Sequence, residues 1–169
     1  PVPAPTKVEW GADYDAARKK ALAANIPFAL FFSAARDAKG QGDLDSVLNA
    51  DPVVTIGLSR LPCVQLDMTD AETAKKYEDV LKQEAPSRTA PVFCLITVFA
   101  TKSDKGEEIL ANKIAWVGDP VNMDRAKLAA DLAAELKKYE PQKPVETTKE
   151  EASPPSPEPK KEDPKPEEG

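Results

Sequence analysis

The sequence predicts an α/β domain on a mixed sheet, with parallel strands at its centre, an antiparallel hairpin at one side and an extended tail after it. Three observations carry this. Apolar, β-like runs recur at Pro27–Ala34, Leu61–Met68 and Pro91–Ala100, the first almost continuously apolar, too short for a helix of that character and suited to a strand covered on both faces. Segments of helical periodicity separate these runs, which argues for parallel strands joined by crossover helices. The third run is followed by Ser103-Asp104-Lys105-Gly106 and then by a second β-like arm, Ile109–Val117, the pattern of a hairpin.

In order, Asp13–Ala24 sets Tyr14, Ala17, Ala21 and Ala24 on one helical face, with Arg18, Lys19 and Lys20 largely opposite, and Pro27 bars its extension. Pro27–Ala34 is the first strand, and a short helix precedes the second, Leu61–Met68, which ends near Asp67. Thr69-x-x-Glu72 is a capping-box pattern that opens a helix from Asp70 to about Lys82. The hairpin follows. Asp119 is a candidate N-cap and Pro120 a first-turn residue of the last helix, whose buried stripe is Leu128, Leu132, Leu136 and Tyr139.

The chain has 169 residues, which fits one folded domain. It has no histidine, so His-based acid–base catalysis, most zinc sites and His-containing triads are excluded. Its two cysteines cannot form a disulfide framework or an iron–sulfur site. A net charge of −6 opposes general binding to nucleic acid or anionic membranes, and no apolar run approaches the roughly 20 residues of a transmembrane helix.

Composition divides the chain into a Pro/Ala-rich lead over 1–7, a folded domain over 8–140 and a tail over 141–169. The tail holds eight of the seventeen prolines, eight acids and five lysines, with only Val145 and Ala152 apolar. It has too little to bury to offset its ordering entropy, and is expected to be disordered with polyproline II character. It would serve as a tether or docking segment, or as a solubilising linker. A proline start fits either removal of a signal peptide or loss of an initiator methionine.

Residues spread over most of the domain carry a resemblance. They are Trp10, Asp13-Tyr14-Asp15-Ala16-Ala17, Phe28-Ala29-Leu30-Phe31-Phe32, Val47 to Val53, the strand ending in Asp67, Ala90-Pro91-Val92-Phe93 and Gly118. This ordered set resembles the thioredoxin-like fold, and within it the exported branch that begins with a tryptophan and an Ala-rich helix. The resemblance implies a three-layer sandwich with helices on both faces of the sheet, and a periplasmic or secreted location; a cytoplasmic one stays open. It also implies a Cys-x-x-Cys where the central strand gives way to a helix, whose N-terminus would lower the first thiol's pKa. Counted along the strand, those positions fall on Ala35 and Ala38, within Ala34-Ala35-Arg36-Asp37-Ala38-Lys39, and the proton-relaying carboxylate falls on Ala29. Alanine can neither attack a disulfide nor resolve one, so the family's redox activity is not expected.

Ala90-Pro91 resembles the family's cis-proline, whose preceding residue pairs its backbone with an extended peptide. The expected groove comprises Ala35, Arg36, Asp37, Ala38, Ala90 and Pro91, and strand-like pairing there needs no thiol. Pro91 as a plain turn residue is the alternative. The expected function is a redox-inactive module that binds a protein partner, an accessory subunit of a larger assembly, with no cofactor and no metal. Two alternatives stand beside it: an enzyme using Asp37 with Arg36 and Lys39, or thiol–disulfide chemistry at Cys63 or Cys94. Those cysteines sit in strand runs flanking the central strand, about 9.5 Å apart by strand spacing, beyond the reach of an unstrained disulfide. Asp37, Asp43 and Asp45 lack calcium-loop spacing, and Asp67 lacks the partners of a receiver-domain phosphoacceptor. Trp10 and Trp116 read as core or edge cover.

Overall fold

The computed structural model describes residues 8–140; the expected lead over 1–7 and the tail from 141 lie outside the described residues. The elements run α1 Tyr14–Ala24, β1 Phe28–Ser33, α2 Gln41–Ala50, α3 Pro52–Ser59, β2 Cys63–Asp67, α4 Ala71–Glu84, β3 Val92–Lys102, β4 Glu108–Gly118 and α5 Arg125–Lys137. The sheet order is β2-β1-β3-β4. β1 and β2 pair in parallel, while β1 with β3 and β3 with β4 pair antiparallel. The apolar run predicted as a doubly covered strand is buried along its whole length.

The strict alternation of a strand divides that run between two cores. Ala29 and Phe31 join Leu44, Val47 and Leu48 of α2, Val54 and Leu58 of α3, and Leu128, Leu132 and Leu136 of α5. Phe28, Leu30 and Phe32 join Tyr14, Ala17 and Ala21 of α1 on the other face, against Tyr77, Val80 and Leu81 of α4. Helices therefore cover both faces of the sheet. Trp10, Phe31, Phe93 and Trp116 stack edge-on in the first core, with ring centroids 5.4–6.5 Å apart. They form packed core rather than a ligand platform. Gly118 has no room for a side chain, because a Cβ would stand 2.4 Å from the Trp116 ring.

A buried polar network ties α1 and α4 to β4. The Asn112 amide donates to Tyr14 Oη at 2.8 Å and to Glu84 Oε2 at 3.0 Å, and Arg18 Nε donates to Asn112 Oδ1 at 3.0 Å. Burial pushes the Tyr14 hydroxyl above its usual pKa.

Local chemistry moves several boundaries from where the sequence predicted them. The single short helix between β1 and β2 is two, α2 and α3. The Asp51 carboxylate accepts from Val53 N at 2.9 Å and Pro52 occupies the first turn, so the chain restarts a helix there. The cap of α4 is Asp70, which accepts from Thr73 N at 3.0 Å, and not Thr69, whose hydroxyl is drawn back to Asp67 at 2.6 Å. The last helix starts at Arg125 with Asp124 as its cap, because Asp119 serves a different purpose, described below. Ala24 is exposed; Asn25 in the left-handed conformation closes α1 before Ala24 reaches the core. No helix among the described residues is long and apolar enough to cross a membrane.

Candidate functional site

The C-terminal end of β1 lies beside the N-terminal end of β3, because Phe32 pairs with Val92. This register brings Ala34 and Ala35 to the same end of the sheet as Ala90 and Pro91, joined by a cis peptide bond. Ala35–Ala38 forms a turn closed by Ala38 N donating to Ala35 O at 2.9 Å, and Gln41 N then donates to Ala38 O at 3.1 Å. Helix α2 begins only at Gln41. Ala35 and Ala38 therefore precede the helix, whereas the resemblance placed the pair directly at its start. Gly40 makes the transition with φ of 88°, and a Cβ there would stand 3.0 Å from Pro120; a left-handed glycine meets both demands.

Two further loops gather at this end. Asp119, 3% exposed, accepts from Arg88 Nε at 3.2 Å, from Val121 N at 3.1 Å and from Asn122 Nδ2 at 2.6 Å. It thereby ties the loop that leads to Pro91 to the loop after β4, and Pro120 in turn rests against Gly40.

Of the sequence-predicted groove residues, Ala35, Arg36 and Asp37 are exposed, Ala38 and Ala90 are half-buried and Pro91 is buried. Ala35 and Arg36 line a cleft of about 260 Å³ together with Ser33, Ala34, Gln41, Asp45, Gln65, Asp67 and Thr69. Asp37, Ala38, Ala90 and Pro91 stand outside its walls. Ser33 and Gln65 have no part in the sequence analysis, and Thr69 enters it only as a capping residue. The signal of the first two was available only as polar residues within two apolar strand runs.

The other candidates are dispersed. Arg36, Asp37 and Lys39 are all exposed, and among the described residues no ion pair joins them. Among the described residues, no group of three or more acidic or thiol side chains is placed to hold a metal ion. Cys63 pairs with Ala29 and Cys94 with Leu30. These are consecutive residues of β1, so the two thiols lie on opposite faces of the sheet, Cys63 against one core and Cys94 inside the other. They cannot meet in a disulfide.

Burial pushes both thiols up to about 12, the charge of Glu84 adding to the effect at Cys94. At pH 8 a thiol of that pKa is ionised to about one part in ten thousand. Part of this deficit is offset by the greater nucleophilicity of a more basic thiolate. Iodoacetamide should therefore label the native protein about a hundredfold more slowly than the urea-unfolded chain. Rapid labelling of either residue in the native state would contradict the burial argument. The same shift sets a sign for stability. A thiol with a raised native pKa favours the fold while it is neutral, and that contribution is lost as pH rises from about 9 towards about 12. Thermal melts should hold up to pH 8 and fall above pH 9.

No family model and no curated protein matches the chain. Among solved structures, it is similar to a thioredoxin from Thermus thermophilus, with 16% identity, 79% of this chain and 87% of that chain covered, and a TM-score of 0.50. It is also similar to a DsbH oxidoreductase, with 15% identity, coverage of 79% and 88%, and a TM-score of 0.48. At such identity what is shared is architecture: the domain has a thioredoxin-like fold, and a fold does not fix an activity.

Proposed function

We propose that this chain is a redox-inactive thioredoxin-like module that binds a protein partner, an accessory subunit of a larger assembly outside the cytoplasm. The observation that supports it best is the placement of sulfur. Both thiols are strand residues on opposite faces of the sheet, with pKa values pushed up to about 12, and in the turn after the central strand positions 35 and 38 carry only methyl groups. Thiol–disulfide exchange starts from an accessible thiolate, and a dithiol catalyst adds a nearby resolving thiol; this arrangement supplies neither. The extracytoplasmic location rests on the likeness of Trp10, Asp13–Ala17 and the following strand to the exported branch.

The groove for the partner comprises Ala35, Arg36, Asp37, Ala38, Ala90 and Pro91. The exposed charges of Arg36 and Asp37 give it polarity. The N–H and C=O of Ala90 make no hydrogen bond within the described residues, which leaves them open to pair with an extended peptide. The tail from 141 would extend the reach of the same module.

Insulin reduction by dithiothreitol tests the silent chemistry: the protein should leave the rate at its background value, and acceleration would overturn the reading. The binding half is tested by recovering partners with the wild-type chain, with Arg36→Glu and with a chain lacking 141–169. Recovery should drop at least about tenfold for Arg36→Glu, the effect of losing roughly 1.4 kcal/mol of interface. Undiminished recovery would remove the groove from the proposal.

A further inference from the structure

We propose that the cleft between the C-terminal ends of β1 and β2 is a binding site for a small zwitterion of the α-amino-acid class. It lies on the β2 side of the sheet end, away from Pro91, and shares only Ala35 and Arg36 with the partner groove.

Topology places a crevice there. The chain leaving β1 enters α2, which packs on one face of the sheet, whereas the chain leaving β2 enters α4, which packs on the other. Where two parallel strands send their connections to opposite faces, the chains part at the carboxyl ends and leave an opening. The pairings of Phe31 with Gln65 and Ser33 with Asp67 put Ser33, Gln65 and Asp67 on one face as the floor. Gln41 and Asp45 form the wall from α2, and Ala34 to Arg36 form the rim.

Within this cleft, some polar groups are already occupied. Gln41, 4% exposed, accepts from Ala34 N at 2.7 Å through Oε1 and donates to Asp45 Oδ1 at 2.9 Å through Nε2. Asp67 Oδ1 accepts from Thr69 N at 2.9 Å and from Thr69 Oγ1 at 2.6 Å. Ser33 is different. It is 4% exposed and lines the cleft, yet its hydroxyl makes no hydrogen bond among the described residues. Buried hydroxyls are almost always partnered, and one without a protein partner needs a ligand or an ordered water.

The groups left over define the ligand. Asp45 Oδ2 and Asp67 Oδ2 on exposed residues, Ser33 Oγ, and the amide oxygen of half-buried Gln65, whose side chain makes no hydrogen bond among the described residues, are acceptors that suit the N–H donors of a primary ammonium. Arg36, which carries no ion pair among the described residues, presents a planar fork at the rim that suits a carboxylate. Two acids against one arginine oppose a purely anionic ligand. No aromatic ring lines the cleft, which removes the stacking surface a nucleobase would use. A volume of about 260 Å³ sits just below the range of drug-sized pockets and holds something smaller.

The test uses the full chain, labelled with nitrogen-15, titrated with glycine and L-serine, and with methylammonium and acetate as separate arms at matched ionic strength. Glycine or L-serine should give saturable shifts at the amides of residues 33–36, 41 and 67–69, with half-saturation below about 10 mM. Asp67→Asn and Arg36→Gln should each weaken that binding about tenfold, while the spectrum elsewhere reports an intact fold. Methylammonium and acetate should bind at least about tenfold more weakly than the zwitterions. No saturation with either amino acid would overturn the site, and so would equal responses in all four arms. Methylammonium binding as tightly as glycine would overturn the zwitterionic assignment. If Ser33→Ala leaves glycine binding unchanged, a water is the hydroxyl's partner and the assignment of Ser33 to the site is overturned. Asp67→Asn and Ser33→Ala lie outside the partner groove and should leave partner recovery unchanged, so the two proposals fail separately.

Discussion

Asp119→Ala is expected to lower the unfolding free energy by about 2 kcal/mol, read as a fall in Tm of roughly 6–8 °C. The carboxylate is almost fully buried and takes three donors, from Arg88, Val121 and Asn122. Its truncation leaves the half-buried backbone N–H of Val121 without its acceptor, whereas the amide of Asn122, an exposed residue, can turn to water. It also releases Arg88, and with it the loop that leads to Pro91. Asp119→Asn should cost less but not be neutral. An amide oxygen can still accept from Val121 N, whereas its NH₂ group would face the donors of Asn122 and Arg88. Arg88→Ala should be the mildest of the three, because the arginine side chain is 38% exposed and water can replace it at the rim. The order alanine, asparagine, then the arginine variant is therefore a sharper test than any single value. An Asp119→Ala protein within about 0.5 kcal/mol of wild type would show that the three loops hold together without this carboxylate.

The same residue shows where sequence reasoning reaches its limit. An aspartate before a proline reads as a helix cap because the signal for capping is local. The competing claim on Asp119 comes from Arg88, thirty-one positions away and invisible to any window. Asp124 then takes the cap, since Lys127 N lies within its reach at 2.8 Å. Elements whose evidence is periodic behaved differently. The nearly continuous apolar run at Pro27–Ala34 marked a strand buried on both faces, and the Ser103–Gly106 turn marked the hairpin, because burial and turn geometry are written in neighbouring residues. The two sides of the cleft come from Ser33–Arg36 and Gln65–Thr69, segments that meet only through a parallel register. A register of that kind is fixed by tertiary packing and leaves no spacing rule in the sequence. Asp45 and Asp67 could be singled out as acids, but nothing local indicated that they shared one opening, nor that the serine between their segments would lack a partner.

Placing cysteines at positions 35 and 38 should give this sulfur-free turn the activity of a slow dithiol exchanger. The hydrogen bond from Ala38 N to Ala35 O closes a four-residue turn, and the ends of such a turn stand within about 7 Å of each other. That is inside the Cα range a disulfide accepts. Position 35 is exposed and position 38 half-buried, so one thiol can attack and the other can wait. Two features limit the rate. Helix α2 begins at Gln41, three residues past the second position, so little of the macrodipole reaches a thiolate at 35. Asp37 between the two positions opposes the benefit of Arg36 and Lys39. The expected result for Ala35→Cys/Ala38→Cys is an internal disulfide on mild oxidation, and insulin reduction at about tenfold the dithiothreitol background, the gain of roughly one pKa unit at an accessible thiol. The single variants should stay at background because each lacks a resolving partner. If the double variant forms its disulfide in full and the rate does not move, the turn lacks more than sulfur, and the geometry ahead of α2 is what withholds exchange. If the rate rises, two thiols are all that this turn lacks for exchange.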